Sequence, residues 1–219
     1  VKLSAYRVQV TDTTTNTVQP DAILSDFRIA NQSCFTSDGT GAPASMAQAA
    51  VQAYDYLSNV SLAAGTSVQM SVVGGVGAPG NYDVSAWIAT DPMPPNTAPG
   101  FVLSDIALIF PLNAAALAAP VGSTVVMTAT CNRVCTLGKL FLSASAPTIS
   151  VISLLVAGEE QLAQSTTVGI GVEAFGPLAT MENSDMDLLK QISPGESVQI
   201  TLQNNAIGVQ NVLGGIYCI

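Results

Sequence analysis

Carboxylates are the side chains in this sequence whose types and spacing come nearest to chemistry. The adjacent pair Glu159-Glu160, the single Glu173, and the group Glu182, Asp185 and Asp187 are the candidates. Two carboxyl groups flanking a glycosidic bond can cleave it, one as acid and the other as base or nucleophile. Glu159 and Glu160, however, follow Gly158 in a hairpin pattern, where a solvated turn accounts for both. Sugar-cleaving clefts also tend to be lined with aromatic rings, and Trp87 is the one tryptophan in the chain. Histidine is absent. Its absence removes the usual general base, the Ser–His and Cys–His nucleophile pairs and the commonest metal ligand. The expectation is a protein that is not an enzyme, with no catalytic, cofactor-binding or metal-binding residue and no cofactor.

The remaining motifs point the same way. Glu182-Asn-Ser-Asp185-Met-Asp187 offers oxygens to a hard cation such as calcium, but lacks the spacing and central glycine of an EF-hand loop. The run from Gly74 to Gly80 has no following Lys-Ser/Thr and opens no helix, so a hairpin turn explains it better than a phosphate cradle. Of the four cysteines (Cys34, Cys131, Cys135, Cys218), Cys131 and Cys135 are the one close pair. Without histidine or a second close pair, zinc is poorly supported. A disulfide in an oxidising setting and buried free thiols both remain open, with the thiols favoured. Asn31-Gln-Ser33 and Asn59-Val-Ser61 fit the glycosylation sequon, a triplet that chance also supplies.

Composition narrows the class further. The chain of 219 residues is 48% hydrophobic and 10% charged, with a net charge of −9. That is ample core material and an unusually charge-poor surface for a soluble monomer. Depletion of charge marks the cores of interfaces, so lateral packing into a shell, lattice or filament is expected. The six basic residues (Lys2, Arg7, Arg28, Arg133, Lys139, Lys190) are dispersed. No stripe exists to neutralise phosphates, and direct nucleic-acid binding is not expected. The most apolar stretch, 102–121, is broken by Asp105, Pro111 and Asn113, so no membrane span is expected. The start at Val1 is compatible with removal of either an initiator Met or a signal peptide.

The elements that would position these residues are mostly strands. Alternation and turn residues predict strands over 2–10, 23–30, 66–73, 82–90 and 101–110. In the second half they predict strands over 124–130, 139–145, 148–156, 167–174, 197–203 and 209–219. Residues 45–57 favour a short helix capped by Ser45, and 113–119 a briefer one closed by Pro120. The proline-rich 91–100 cannot join a sheet interior. It is either an exposed loop or the linker between units, and as a linker it divides the chain into an N-terminal β-sandwich unit, 1–98, and a C-terminal, jelly-roll-like unit, 99–219. The expected fold class is all-β, a jelly-roll-type β sandwich in two tandem units with one or two short helical inserts.

A repeat supports that division. Residues 56–73 and 188–203 each run from an apolar pair through a polar turn, with Gly65 or Gly195, into a strand opened by Ser-Val-Gln. Upstream, Ile23 to Ile29 before Asn31-Gln32 matches 149–156 before Glu159-Glu160-Gln161. The inward positions of the Ser-Val-Gln strands are expected to be Val68, Met70 and Val72, and Val198, Ile200 and Leu202.

Residues 126–161 carry a strand, Arg133, a Lys139-Leu140 strand start and an apolar strand ending in Val-Ala-Gly. Val172-Glu-Ala-Phe175 follows, then Ile192-Ser-Pro-Gly195-Glu-Ser-Val-Gln and a final strand. That order resembles jelly-roll major capsid proteins of tailless icosahedral phages over about the last hundred residues. The resemblance implies two jelly rolls in one chain, forming trimers of pseudo-hexagonal outline that tile the shell of a virion. Its partners would be copies of itself, other virion proteins or an internal membrane. With 219 residues the chain is small for a double jelly roll. Loops 91–100 and 175–187 are the expected interfaces. The alternatives are an extracellular filament or surface-lattice subunit that donates strand 2–10 to a neighbour, and a carbohydrate-binding or adhesin-like module.

Overall fold

Val198, Ile200 and Leu202 alternate with Gln199, Thr201 and Gln203, and that period of two sends every second side chain into an apolar interior. The same alternation builds the rest of the protein. The computed structural model describes residues 2–18, 22–44, 46, 60–74, 81–91, 109–162, 169–176 and 187–218. In the first half the strands are β1 (Lys2–Asp12), β2 (Thr17–Val18), β3 (Ile23–Ile29), β4 (Gln32–Ser33), β5 (Ala42–Pro43), β6 (Val60–Ser61), β7 (Val68–Val73) and β8 (Tyr82–Asp91). In the second they are β9 (Ile109–Pro111), β10 (Ala115–Leu117), β11 (Thr124–Thr130), β12 (Cys135–Ala144) and β13 (Ile149–Val156). They continue with β14 (Glu159–Glu160), β15 (Ile170–Gly171), β16 (Asp187–Ile192), β17 (Ser197–Asn204) and β18 (Gln210–Cys218). No helix among the described residues reaches seven residues.

The second half forms two antiparallel sheets. One runs β10-β18-β12-β16, with β9 also on β18; the other runs β11-β17-β13-β14, with β15 also on β13. Taking β9 with β10, and β14 with β15, as interrupted single strands, the sheet orders are 1-8-3-6 and 2-7-4-5. That is the connectivity of an eight-stranded jelly roll. The sheets pack closely where β18 carries glycine. A Cβ at Gly214 would lie 2.8 Å from Leu112 Cδ1 and 3.1 Å from Met127 Cε of β11, in the other sheet.

The first half repeats strands three to eight of that plan. β8-β1-β6 corresponds to β18-β12-β16, and β7-β3 with β4 and β5 to β17-β13 with β14 and β15. The match extends to register. Ile29 faces Val68 and Phe27 faces Met70, as Val156 faces Val198 and Leu154 faces Ile200. A one-residue irregularity falls between Leu24 and Asp26 in one strand and between Val151 and Ser153 in the other. It re-phases the strand so that apolar positions on both sides of it stay inward. Two-residue turns with positive φ follow, Ala30-Asn31 and Ala157-Gly158. The pairing of Tyr6 with Ile88 and Val10 with Val84 repeats that of Leu140 with Ile216 and Ala144 with Val212.

Gly41 and Gly169 hold equivalent places before β5 and β15. A Cβ there would sit 2.8 Å from the Leu24 carbonyl oxygen and 2.7 Å from that of Val151, the same position in each repeat. Glycine is required at both because backbone cannot yield as a flexible side chain does.

Three expectations are corrected. Residues 113–119 form no helix: Ala115–Leu117 is strand β10, paired with β18 and buried on alternate residues. The strand expected over 167–174 is short, since only Ile170–Gly171 reaches β13 and Val172–Phe175 closes into a 3-10 turn. Strand β16 was not anticipated. The helix expected at 45–57 (Met46 apart), the segment 92–100 and the boundary at 98/99 lie outside the described residues.

Candidate functional site

Two of the carboxylates singled out by type, Glu159 and Glu160, hold the chain in shape. Glu160 ends the β13–β14 hairpin and folds back over it. Its carboxylate accepts from Ser153 Oγ (2.6 Å), Leu154 N (2.9 Å) and Leu162 N (3.1 Å). Desolvation pushes its pKa up, but these hydrogen bonds outweigh it and hold the carboxyl below the usual glutamate value. The first half makes the same closure with a hydroxyl, Ser33 Oγ accepting from Phe35 N (3.2 Å). Glu159 is ion-paired with Lys190, which also donates to Val156 O (3.2 Å). Hydrogen bonding and charge from Lys190 lower the Glu159 pKa. Glu173 is exposed in the 3-10 turn.

Asp187 opens β16, in register with Lys139. Glu182, Asp185, residues 75–80 and Asn59 lie outside the described residues, as do most of loops 91–100 and 175–187. Asn31 is exposed at the tip of the β3–β4 turn. Among the described residues no group of three or more Cys, Asp or Glu is placed to hold a metal.

The densest polar construction is instead the seam between the halves. Within residues 34–44, Cys34 and 42–44 stay tied to the first half, while 35–41 lie along the second. Phe35 bridges Ile109, Ser37 bridges Cys131 and Gly41 bridges Leu112. Thr36 N donates to Ile109 O and Ile109 N to Cys34 O, each at 3.0 Å. Asp38 Oδ1 accepts from Thr130 N at 2.6 Å, and Asn132 Nδ2 donates to Ser37 O at 3.1 Å. The Tyr217 hydroxyl donates to Met46 O. Arg133 Nη2 donates to Ser33 O (3.0 Å) and Phe35 O (3.3 Å), while its Nε is buried without a hydrogen-bond partner. Each bond contributes about 1 kcal/mol net, so the seam gains from their number.

Cys34 begins this strap, and Cys131, Cys135 and Cys218 lie under it; all four are buried thiols. Cys218 Sγ donates to Cys135 Sγ at 2.9 Å. Thr36 Oγ1 lies 3.3 Å from Cys218 Sγ and 3.7 Å from Cys135 Sγ. The hydrogen bond from Cys218 lowers the Cys135 pKa against an opposing burial effect, whereas burial raises that of Cys218. Cys131 donates to Arg133 O at 2.9 Å and also lies within reach of Cys135, whose pKa it helps to lower. Burial pushes the Cys34 thiol up to about 12. The close sequence pair, Cys131 and Cys135, is therefore not the tightest pair in space. The partner is Cys218, brought in by the adjacency of β12 and β18, and no local spacing signals it.

Among the described residues Glu160 is committed to Ser153 and to backbone N–H groups, Glu159 to Lys190 and Arg133 to backbone carbonyls, and the chemistry that the seam itself offers is that of its buried thiols. Comparison of the chain with known protein families, with curated proteins and with solved structures finds no match.

Proposed function

We propose that this chain is a structural self-assembly protein, most specifically the major capsid protein of a virion, forming a shell by lateral contacts between β sandwiches. The observation that carries the reading is the doubling of one jelly-roll plan within a single chain, in register down to the irregularity in β3 and β13. Jelly rolls are a recurrent architecture of capsid subunits. Two similar units side by side give a trimer six similar walls, a shape that tiles. A surface with few charges suits dry lateral contacts. Three of the described basic groups also fit a subunit that leaves the genome to others: Arg28 pairs with Asp26, Arg133 serves backbone carbonyls and Lys190 pairs with Glu159. The partners proposed are copies of the chain, as a homotrimer or larger assembly, with other virion proteins or an internal membrane beneath.

Negative-stain electron microscopy of the purified chain, with its mass from light scattering, tests this. Closed shells or stable trimers are the expected result. A monomer that persists at high concentration overturns it and moves the carbohydrate-binding reading forward.

A second reading, polymerisation by strand addition, is favoured by one observation. Among the described residues β7 pairs only with β3 and β8 only with β1, whereas their counterparts β17 and β18 are flanked on both sides. Such edges accept strands. The donor first expected, residues 2–10, is already held within its own chain between β8 and β6, so it would have to leave that sheet to act. Linear polymers lost on deletion of residues 1–10 would support it as donor; polymers that survive the deletion would eliminate it.

A further inference from the structure

Shell building accounts for the sheets but not for two sulfurs in contact beneath the seam. Cys135 is the first residue of β12 and Cys218 the last of β18. In a regular sheet they would be diagonal neighbours, because Cys218 faces Leu137. Diagonal positions sit about 7–8 Å apart, near the limit that two cysteine side chains can span. Here the register shift just after Leu137 distorts the ladder, and the sulfurs lie 2.9 Å apart. We propose that Cys135 and Cys218 are a redox pair, which a hydroperoxide converts into an intrachain disulfide tying the final strand to β12.

The step balances with hydrogen peroxide as the oxidant. The Cys135 thiolate attacks one peroxide oxygen, the O–O bond breaks, and hydroxide leaves to take up the proton the thiol released. Cys135 is then a sulfenic acid. Cys218 Sγ attacks that sulfur, the S–O bond breaks, and the departing hydroxyl leaves as water with the Cys218 proton. Two thiols are oxidised, one peroxide is reduced and two waters form.

The surroundings favour this pair over the other thiols. Cys218 already donates its hydrogen to Cys135, and the Thr36 hydroxyl touches both sulfurs. The hydrogen bond stabilises the thiolate on Cys135, which is the form that attacks. Cys135 is also the less buried of the two, 8% exposed against 2% for Cys218, so an oxidant has the shorter way to it. Cys34 is fully buried and its thiol is held protonated, and Cys131 is engaged with a carbonyl.

The test uses the full chain treated with hydrogen peroxide, alkylated after unfolding and mapped by mass spectrometry without reduction. The expected product is one linked peptide pair, 135 with 218, lighter by two hydrogens and reopened by a thiol reductant, with Cys34 and Cys131 alkylated. Four alkylated thiols, or a link between Cys131 and Cys135, would overturn the proposal. C218S removes the resolving thiol, so its Cys135 should accumulate a dimedone-reactive sulfenic acid. A Cys135 that stays unreactive in folded C218S, as judged by an unchanged circular dichroism spectrum, also counts against it.

Discussion

The two halves of this protein are one design carried to different degrees of closure. In the second half β17 lies between β11 and β13, and Val198, Ile200 and Leu202 are fully buried. In the first half Val68, Met70 and Val72 hold the same register on β7, with β3 as their one described neighbour, and are only half-buried. The central strands do not differ in this way: Leu24, Phe27 and Ile29 on β3 are as buried as Val151, Leu154 and Val156 on β13. Val84 on β8 is 51% exposed, whereas its counterpart Val212 on β18 is fully buried. The comparison teaches that burial in this fold is set by neighbouring strands, not by the hydrophobicity of the strand itself.

Truncation on the two Ser-Val-Gln strands tests this most strongly. Ile200→Ala should cost about 2–5 kcal/mol in chemical denaturation, since a fully buried side chain leaves a cavity. Met70→Ala, at the matching position, should cost under about half as much, because water already reaches it. Equal costs would mean that the first half is closed as tightly as the second.

The glycines come next in size. Gly41→Ala and Gly169→Ala should each destabilise by about 1–3 kcal/mol, and by similar amounts, because each new methyl meets a backbone carbonyl. Gly65→Ala and Gly195→Ala meet open space but keep a positive φ (+84° and +91°), so about 1 kcal/mol is expected. Unequal losses within either pair, measured by thermal melts, would break the structural equivalence.

Acid should separate the halves more gently. The Glu160 carboxyl has a lowered pKa when folded, so its contribution is present above the ordinary glutamate value and fades as pH falls through the lowered one. Glu160→Gln should remove under about 1 kcal/mol of that acid sensitivity, the group being largely exposed. Ser33→Ala should leave the pH profile unchanged, because a hydroxyl does not titrate in that range. The smallest expected effect on stability is at Val73, 52% exposed on β7. Val73→Gln copies Gln203 and should change stability by less than about 0.5 kcal/mol. A drop in assembly size by light scattering would mark β7 as a contact.

Much of this was legible in the sequence because the repeat was. The shared Ser-Val-Gln strands, their preceding glycines and their upstream partners take equivalent places in the fold. Where the reading failed, tertiary contacts overrode local preference. Ala115–Leu117 lies in an alanine-rich run with good helix propensity, but β18 needed a partner on that side and drew it into the sheet. Asp187–Ile192 has little alternation of its own and becomes a strand by pairing with β12. The Glu159-Glu160 pair falls in the hairpin expected for it, yet nothing in Glu160 announced that it would bind Leu154 and Leu162. Thr36 and Cys218 carry no local pattern that unites them with Cys135; only the topology does.

The strap of residues 34–44 also bears on how the chain is made. It is synthesised between strands of the first half, but its partners Ile109, Thr130 and Cys218 emerge much later. A nascent chain that has not reached residue 109 therefore has to hold that segment without its lid, a state in which apolar surface invites holdase chaperones and premature association. Because Cys218, against Thr36, is the last residue of β18, the strap is fastened only once that strand has emerged, and the chain becomes competent for its final shape in one late step.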